Sequence, residues 1–230
     1  MATSHTIAPE SFDYLKILAK NNNRDWFQKN KPTYEKALEN IRDVAEDLLQ
    51  EMGKHDNIET PSGRKSLFRI YRDVRFSKNK APYKTHWSGH FKRATAELRG
   101  GYYFHLEPGN SFVAGGFWGP NPQDLQRIRQ EIDLNAEEFR EVLNDSALQS
   151  TFGNMEGNQV KTAPKGFSKD HPAIDLLRYK QFVFTKRFTD KEVLGKDYVA
   201  LANQSFKDLR PFFDFMSSVL TTDANGESLI

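Results

Sequence analysis

The chain has 230 residues, of which 37% are hydrophobic, and its 18 Phe, 8 Tyr and 3 Trp supply the bulk that a packed core needs. This length suits one domain, so we expect a single domain over residues 1–230, with an ordered core at about 9–220 and a frayed tail at 221–230. The absence of cysteine from the sequence excludes disulfides, thiolate metal sites and cysteine nucleophiles.

The composition also bears on the compartment. A chain without cysteine suits a reducing environment, so we expect a cytoplasmic location. The sequence has no run of ~20 apolar residues, and Met1–Thr6 lacks the basic and then apolar pattern of an export signal. We therefore expect no membrane partner.

Charge is distributed unevenly along the chain. The net charge is only +2, but the segment from Arg64 to Arg99 has eleven Lys or Arg against two acids, Asp73 and Glu97. Such a concentration is typical of a local anion-binding surface rather than of a generally basic protein.

Helical periodicity marks the first fifty residues. Apolar spacing predicts a short helix over Ser11–Lys20, which Asn21–Asn23 interrupt, and another turn of helix over Arg24–Lys29. Pro32 suits the first position of a long helix that Gly53 ends.

Short aromatic runs follow, and they predict β-strands at Leu67–Tyr71, Trp87–Phe91, Tyr102–Leu106 and Phe112–Trp118. The turn sequence Pro108-Gly109-Asn110 predicts an antiparallel hairpin over residues 101–118.

The last part of the chain is again mainly helical. It predicts a helix that begins at Asn121-Pro122, a helix from Asn135 to Leu143, a short helix over Pro172–Tyr179, a strand at Phe182–Phe184, and a helix over Val199–Leu220 that Pro211 kinks or divides. This order predicts an α+β fold, with an antiparallel or mixed sheet packed against N-terminal and C-terminal helices.

The segment from Arg69 to Lys84 has the densest polar information. Its candidate ligand-binding residues share cationic or hydrogen-bonding side chains suited to phosphate or carboxylate, and they are Arg69, Arg72, Asp73, Arg75, Lys80 and Tyr83. The alternative is a structural network of salt bridges, in which Asp73 and acids of the N-terminal helices pair with these arginines.

The pattern Arg69-x-x-Arg72-Asp73-x-Arg75-Phe76-x-x-Asn79-Lys80-x-x-Tyr83 resembles the signature of a bacterial and fungal family catalogued as domain of unknown function 2461. Segments such as Asn23–Phe27 and Gly100–Tyr103 extend the resemblance over nearly the whole chain. The resemblance implies a shared fold and a shared cluster, but no activity.

The glycine-rich stretch from Gly115 to Pro122 joins a strand to a helix. Glycines and a helix N-terminus can bring backbone N–H groups close to an anion. The favoured alternative is a tight turn that needs positive φ, with Trp118 packed in the core.

Histidines suggest a weaker metal hypothesis. His86 and His90 would share one face of a strand, and His105 and Glu107 would share a face of the following strand. If the faces coincide, these side chains could bind a divalent metal. Ordinary polar residues on a half-exposed sheet are the favoured interpretation, so no metal is assigned.

Two residues are candidates for catalysis. Asp73 could orient the arginines or act as a base, and Asp170 could orient His171 for general-base chemistry. A helix cap at Asp170 before Pro172 is a sufficient structural reason for the second pattern.

The preferred function is an anion-pocket protein that binds a phosphorylated or carboxylated small molecule, with or without catalysis, and no cofactor or oligomeric state is predicted. The alternative is a non-catalytic module that binds an acidic protein or nucleic acid through its basic face. Basic and aromatic residues interleave from Lys84 to Arg93, but the nearly neutral net charge makes nucleic acid the less favoured partner.

Overall fold

The structure is a computed structural model that describes residues 5–223 and 226–230. Contacts between Cα atoms divide the chain into two compact units. Unit 1 comprises Met1–Phe91, Tyr103–Val113 and Arg187–Gln204, and unit 2 comprises Lys92–Tyr102, Ala114–Lys186 and Ser205–Ile230. The single domain expected from the sequence stays a prediction.

The chain forms one four-stranded antiparallel sheet. Its strands lie side by side in sequence order: β1 (Trp87–Lys92), β2 (Gly101–Leu106), β3 (Ser111–Phe117) and β4 (Phe182–Phe188). β2 and β3 form the predicted hairpin, and Gly109 in its turn has a φ of 76°, a conformation that favours glycine. With the helices below, this sheet confirms the α+β class and settles the sheet as antiparallel.

Four helices precede the sheet: α1 (Pro9–Lys20), α2 (Arg24–Lys29), α3 (Lys31–Met52) and α4 (Gly63–Ser66). α1 and α3 bury apolar residues at helical spacing, among them Leu15, Leu18, Ile41 and Leu48. The Asn23 side chain accepts a hydrogen bond from the Trp26 N–H and caps α2. The predicted break between α1 and α2 therefore ends at the residue that caps α2.

Seven further helices lie within the described residues: α5 (Pro122–Leu134), α6 (Ala136–Leu143), α7 (Ser146–Phe152), α8 (Ile174–Leu177), α9 (Asp190–Val193), α10 (Tyr198–Asp208) and α11 (Arg210–Thr221). Asn121 caps α5, and Pro211 lies in the first turn of α11. Pro211 thus divides the predicted C-terminal helix in two. Among residues 5–223 and 226–230, no helix combines the length and the apolar character needed to cross a bilayer.

Two predicted elements differ from the structure. The predicted strand Leu67–Tyr71 is wrong as a regular strand, because it forms only isolated bridges, from Leu67 to Gly89 and from Tyr71 to Tyr83. The two bridges are out of register, because four positions separate Leu67 from Tyr71 while six separate Tyr83 from Gly89, and a continuous ladder needs one register. The predicted helix Pro172–Tyr179 is shorter in the structure, where α8 covers only residues 174–177.

The predicted tail is described only in part. Thr221 ends α11, and Thr222 pairs with Ser228 in an isolated bridge. Ala224 and Asn225 lie outside the described residues, as do residues 1–4.

The glycine-rich stretch contains one position where a side chain cannot fit. Gly116 in β3 has a φ of 138°, and a Cβ there would lie 2.1 Å from the carbonyl oxygen of Phe182. We predict that Gly116→Ala lowers the free energy of unfolding by at least about 2 kcal/mol, because backbone must shift to accept the methyl group. Urea unfolding measures the change.

Gly119→Ala is the matched control, because no atom lies within 4 Å of a Cβ at that position. It should unfold within about 0.5 kcal/mol of the unmodified protein. Equal stability of the Gly116 and Gly119 variants would contradict the close approach of β3 and β4.

Candidate functional site

The basic segment Arg69–Lys84 folds back on itself within unit 1. The N–H of Arg72 donates to the carbonyl oxygen of Pro82 (2.9 Å), and the N–H of Lys84 donates to that of Ile70 (2.7 Å). These two bonds form a narrow base, and the residues between Arg72 and Pro82 make a loop.

Three charged side chains of this loop, those of Asp73, Arg75 and Lys80, are exposed and bonded to the loop itself. Arg75 Nη2 donates to Asp73 Oδ2 (2.7 Å), and Lys80 Nζ donates to the carbonyl oxygens of Val74 (2.9 Å) and Arg75 (3.3 Å). The side-chain hydrogen bond from Arg75 lowers the pKa of Asp73, and the same bond raises the pKa of Arg75. A lowered pKa makes Asp73 a weaker base.

Tyr83 anchors the base of the loop. Its ring is buried and stacks on Phe27, with ring centres 4.0 Å apart. Asn22 Nδ2 donates to the carbonyl oxygen of Tyr83 (2.9 Å), and the N–H of Tyr83 donates to Asn22 Oδ1 (3.0 Å). Burial raises the pKa of the Tyr83 hydroxyl. Tyr83 therefore packs in the core, and Asn22 bonds to both its N–H and its carbonyl group.

A cavity of about 300 Å³ lies at this anchor. Its polar lining consists of Asn22, Arg72, Asn79, Lys84, Thr85 and His86, together with Tyr83, and it contains no carboxylate. Burial, and then the positive charge of Arg69, lowers the pKa of Lys84. The cavity thus has cationic walls without an acidic group among its lining residues.

The structure separates the six predicted ligand residues into two groups. Arg72 and Tyr83 line the cavity, and Arg72 Nη1 donates to the carbonyl oxygen of Ala81 (3.0 Å). The other four predicted ligand residues are exposed and do not line the cavity. They are Arg69, Asp73, Arg75 and Lys80.

Two histidines and a glutamate meet next to the cavity, all within unit 1. The rings of His86 and His105 have centres 4.1 Å apart, and His105 Nε2 lies 3.2 Å from Glu107 Oε2. The ligand atoms of the three residues lie within 4.8 Å of one another. His90 is exposed and does not belong to this group.

The electrostatics of this group favour neutral imidazoles beside an ionised carboxylate. Burial, and then the neighbouring His105, lowers the pKa of His86 to about 4, and burial also lowers the pKa of His105. Burial acts to raise the pKa of Glu107, but hydrogen bonds from Asn110, His105 and Thr85 lower it. Each imidazole is therefore neutral at neutral pH, with one protonated and one unprotonated ring nitrogen.

His171 lies in unit 2, in a surface cavity of about 380 Å³ that Asp133 also lines. His171 Nε2 lies 3.0 Å from Asp133 Oδ1, and the N–H of Ala173 donates to Nδ1 (3.0 Å). The partner of His171 is thus Asp133, not Asp170. Both ring nitrogens of His171 have a protein partner, so a structural role is sufficient to explain this histidine.

The start of α5 is already occupied by a carboxylate. Asp124 lies in its first turn and bonds to Arg99 and to Asn121 Nδ2. An anion at this helix N-terminus would meet this negative charge. The side chain of Trp118 is 73% exposed. The expectation that this glycine-rich stretch packs Trp118 in the core is therefore wrong.

The candidate residues from the sequence omit Asn22, Lys84 and Thr85. Asn22 is 61 positions from Tyr83, in a stretch whose sequence predicts only a break between helices. A carboxamide has a donor and an acceptor that match the N–H and C=O of an extended backbone. The run of three asparagines was the available signal, but it does not indicate which backbone they contact.

The comparisons with known proteins give one family and no individual relative. The model of the family described as "Conserved hypothetical protein (DUF2461)" matches residues 10–215. No curated protein and no solved structure matches the chain significantly.

The anchor at Tyr83 leads to a prediction. Asn22→Ala should lower the free energy of unfolding by about 1–3 kcal/mol, because it leaves the N–H and C=O of Tyr83 without their partner. It should also accelerate amide hydrogen exchange in residues 70–84, measured by mass spectrometry.

Asn21→Ala is the matched control, because the Asn21 side chain donates to Ile17 of its own helix. This variant should leave exchange in residues 70–84 unchanged. Slow exchange in the Asn22 variant would mean that other contacts hold the segment.

Proposed function

The chain belongs to this family, whose description assigns no activity, and we propose that it binds a phosphorylated or carboxylated small molecule in the cavity lined by Arg72 and Lys84. The observation that carries the proposal is charge, because two cationic side chains line a cavity that has no carboxylate in its lining. Cations removed from water need an anionic partner to offset their desolvation. The volume of about 300 Å³ is at the lower end of small-molecule sites.

The ion pairs of the segment support binding over a purely structural role. Among the described residues, the salt bridge within Arg69–Lys84 joins Asp73 to Arg75. In that same part of the chain, no salt bridge links Arg72 to an acid of α1, α2 or α3. The network expected for a structural cluster would need such pairs.

Each cavity residue has a separate role in this proposal. The bond from Arg72 Nη1 to Ala81 orients the guanidinium, and the remaining N–H groups can make a bidentate contact with an anion. Lys84 supplies a point charge, and the charge of Arg69 adds to the positive potential. Asp73 has no assigned catalytic role, since it pairs with Arg75. Because the chain lacks cysteine, we place this binding in the cytoplasm.

The central prediction concerns Lys84. Lys84→Met should weaken binding of inorganic phosphate by about 10- to 100-fold, because a hydrogen bond to a charged group contributes about 1.5–3 kcal/mol. Met can keep the apolar contact near Phe68, whose ring centre lies 5.3 Å from Lys84 Nζ. Isothermal titration calorimetry in EDTA measures the loss, first with phosphate and then with sugar phosphates and dicarboxylates.

Lys78→Met is the matched control, because Lys78 is an exposed lysine of the same segment outside the cavity lining. It should bind phosphate as the unmodified protein does. Equal losses in the two variants would point to diffuse surface charge, and no loss in the Lys84 variant would remove the cavity as the site.

A second candidate function rests on exposed aromatic rings. Phe68, Tyr71 and Phe76 are 51%, 56% and 96% exposed, and each is next to an arginine in the sequence. Rings that stack on bases beside cations that contact phosphates are typical of surfaces for single-stranded nucleic acid. This arrangement favours nucleic acid over an acidic protein as the partner of the basic face.

Phe76→Ala tests this candidate. It should weaken binding of a fluorescent single-stranded oligonucleotide by about 5- to 100-fold, because stacking contributes about 1–3 kcal/mol per base. Fluorescence anisotropy at several salt concentrations measures affinity, which should fall steeply with salt. Trp118→Ala, at another exposed ring, is the control. Equal affinity in both variants would argue against stacking on this segment, and binding of an acidic peptide instead would favour a protein partner.

A further inference from the structure

Three side chains with good metal-ligand chemistry converge in unit 1. His86 immediately precedes β1, while His105 lies in β2 and Glu107 immediately follows it. The antiparallel pairing of β1 with β2 therefore brings the start of one strand to the end of the other. The ligand atoms of the three residues lie within 4.8 Å of one another.

We propose that His86, His105 and Glu107 form a binding site for a divalent first-row transition-metal ion. Imidazole nitrogens suit zinc, cobalt, nickel, copper and iron, and one carboxylate supplies an anionic oxygen. Two histidines and one carboxylate complete three positions and leave at least one position for water or another ligand.

The distances in the group suit one shared ion. His105 Nε2 and Glu107 Oε2 are 3.2 Å apart, and a tetrahedral ion with bonds of about 2.0–2.2 Å separates its ligand atoms by roughly 3.3–3.6 Å. A larger spacing of up to 4.8 Å closes with a shift of roughly 1 Å, which rotation of a side chain supplies. An ion can thus take the place of this hydrogen bond in the tautomer that carries the single ring proton of His105 on Nδ1.

His86 has an available lone pair. In the described part of the chain, its ring contacts the ring of His105, and no hydrogen bond to its nitrogens is found. His86 also lines the cavity, where a ligand can meet its nitrogens. A metal ion would give one of its nitrogens a partner.

Surrounding residues already hold the other two ligands. Tyr103 Oη lies 3.0 Å from His105 Nδ1, so it can accept the Nδ1–H and leave the Nε2 lone pair for an ion. Thr85 Oγ1 and Asn110 Nδ2 donate to the two oxygens of Glu107, at 3.1 Å and 2.8 Å. Such outer contacts are typical of ligands that keep their orientation.

The site also has a route of entry. His86 and Thr85 line the cavity of about 300 Å³, so an ion can reach the group from solvent and keep its remaining positions open there. Glu107 offsets one positive charge of the ion. The cationic Arg72 and Lys84 oppose it, so an anion or hydroxide at an open position has to offset the rest.

The test uses the full chain, stripped with EDTA and returned to metal-free buffer. Calorimetry with Zn²⁺ alone and visible absorption with Co²⁺ alone measure stoichiometry, affinity and geometry. The unmodified protein should bind one ion per chain. His86→Ala and Glu107→Gln should each weaken binding by at least about 100-fold, because each removes a ligand. His90→Ala, a histidine on β1 outside the group, should bind as the unmodified protein does.

Thermal melts in EDTA establish whether each variant folds, and Tyr103→Phe, with an expected loss of about 10-fold, provides a milder variant. The proposal is overturned if the unmodified protein binds neither ion, or if His90→Ala weakens binding as much as His86→Ala does. Phosphate titrations in EDTA test the anion cavity without metal, so failure of one site is distinguishable from failure of the other.

Discussion

The paired hydrogen bonds between Asn22 and the backbone of Tyr83 are the contact on which the rest of the candidate site depends. They hold the short stretch that carries Lys84, Thr85 and His86 in consecutive positions before β1. The stack of Tyr83 on Phe27 fixes the same stretch from its apolar side. Lys84, Thr85 and His86 all line the cavity, so a change in this anchor would displace all three side chains.

The stretch from Lys84 to His86 contributes residues both to the cavity and to the group of His86, His105 and Glu107. Thr85 lines the cavity and also donates to Glu107, and His86 lines the cavity and also packs on His105. Arg72 and Lys84 favour a negative ligand in the cavity, while neutral imidazoles and a carboxylate favour a positive one beside it. An anion in the cavity and a metal ion at the two histidines would therefore lie a few ångströms apart, each bound by its own set of side chains.

Sequence patterns predicted the elements whose signals are local. The hairpin at Gly109 and the helix starts at Asn121 and Pro211 depend on neighbouring residues, and their chemistry is visible in the sequence. The prediction of a regular strand at Leu67–Tyr71 failed because its two ends pair in different registers, which the sequence of the strand itself does not show. The sequence also does not predict that Lys84 lines the cavity, because this position follows from a contact between Asn22 and Tyr83, which are 61 positions apart.

The two proposed ligands also affect each other. Arg72 and Lys84 raise the energy of a cation at His86, His105 and Glu107, so an anion in the cavity would lower that energy by offsetting their charge. Thermodynamic linkage then requires the metal to tighten anion binding by the same factor. The salt bridge from Asp73 to Arg75 cannot supply this compensation, because both of its charges are exposed and are largely screened by water. A small anion would thus offset the charge of the cavity's cations and would at the same time favour a metal ion bound beside it.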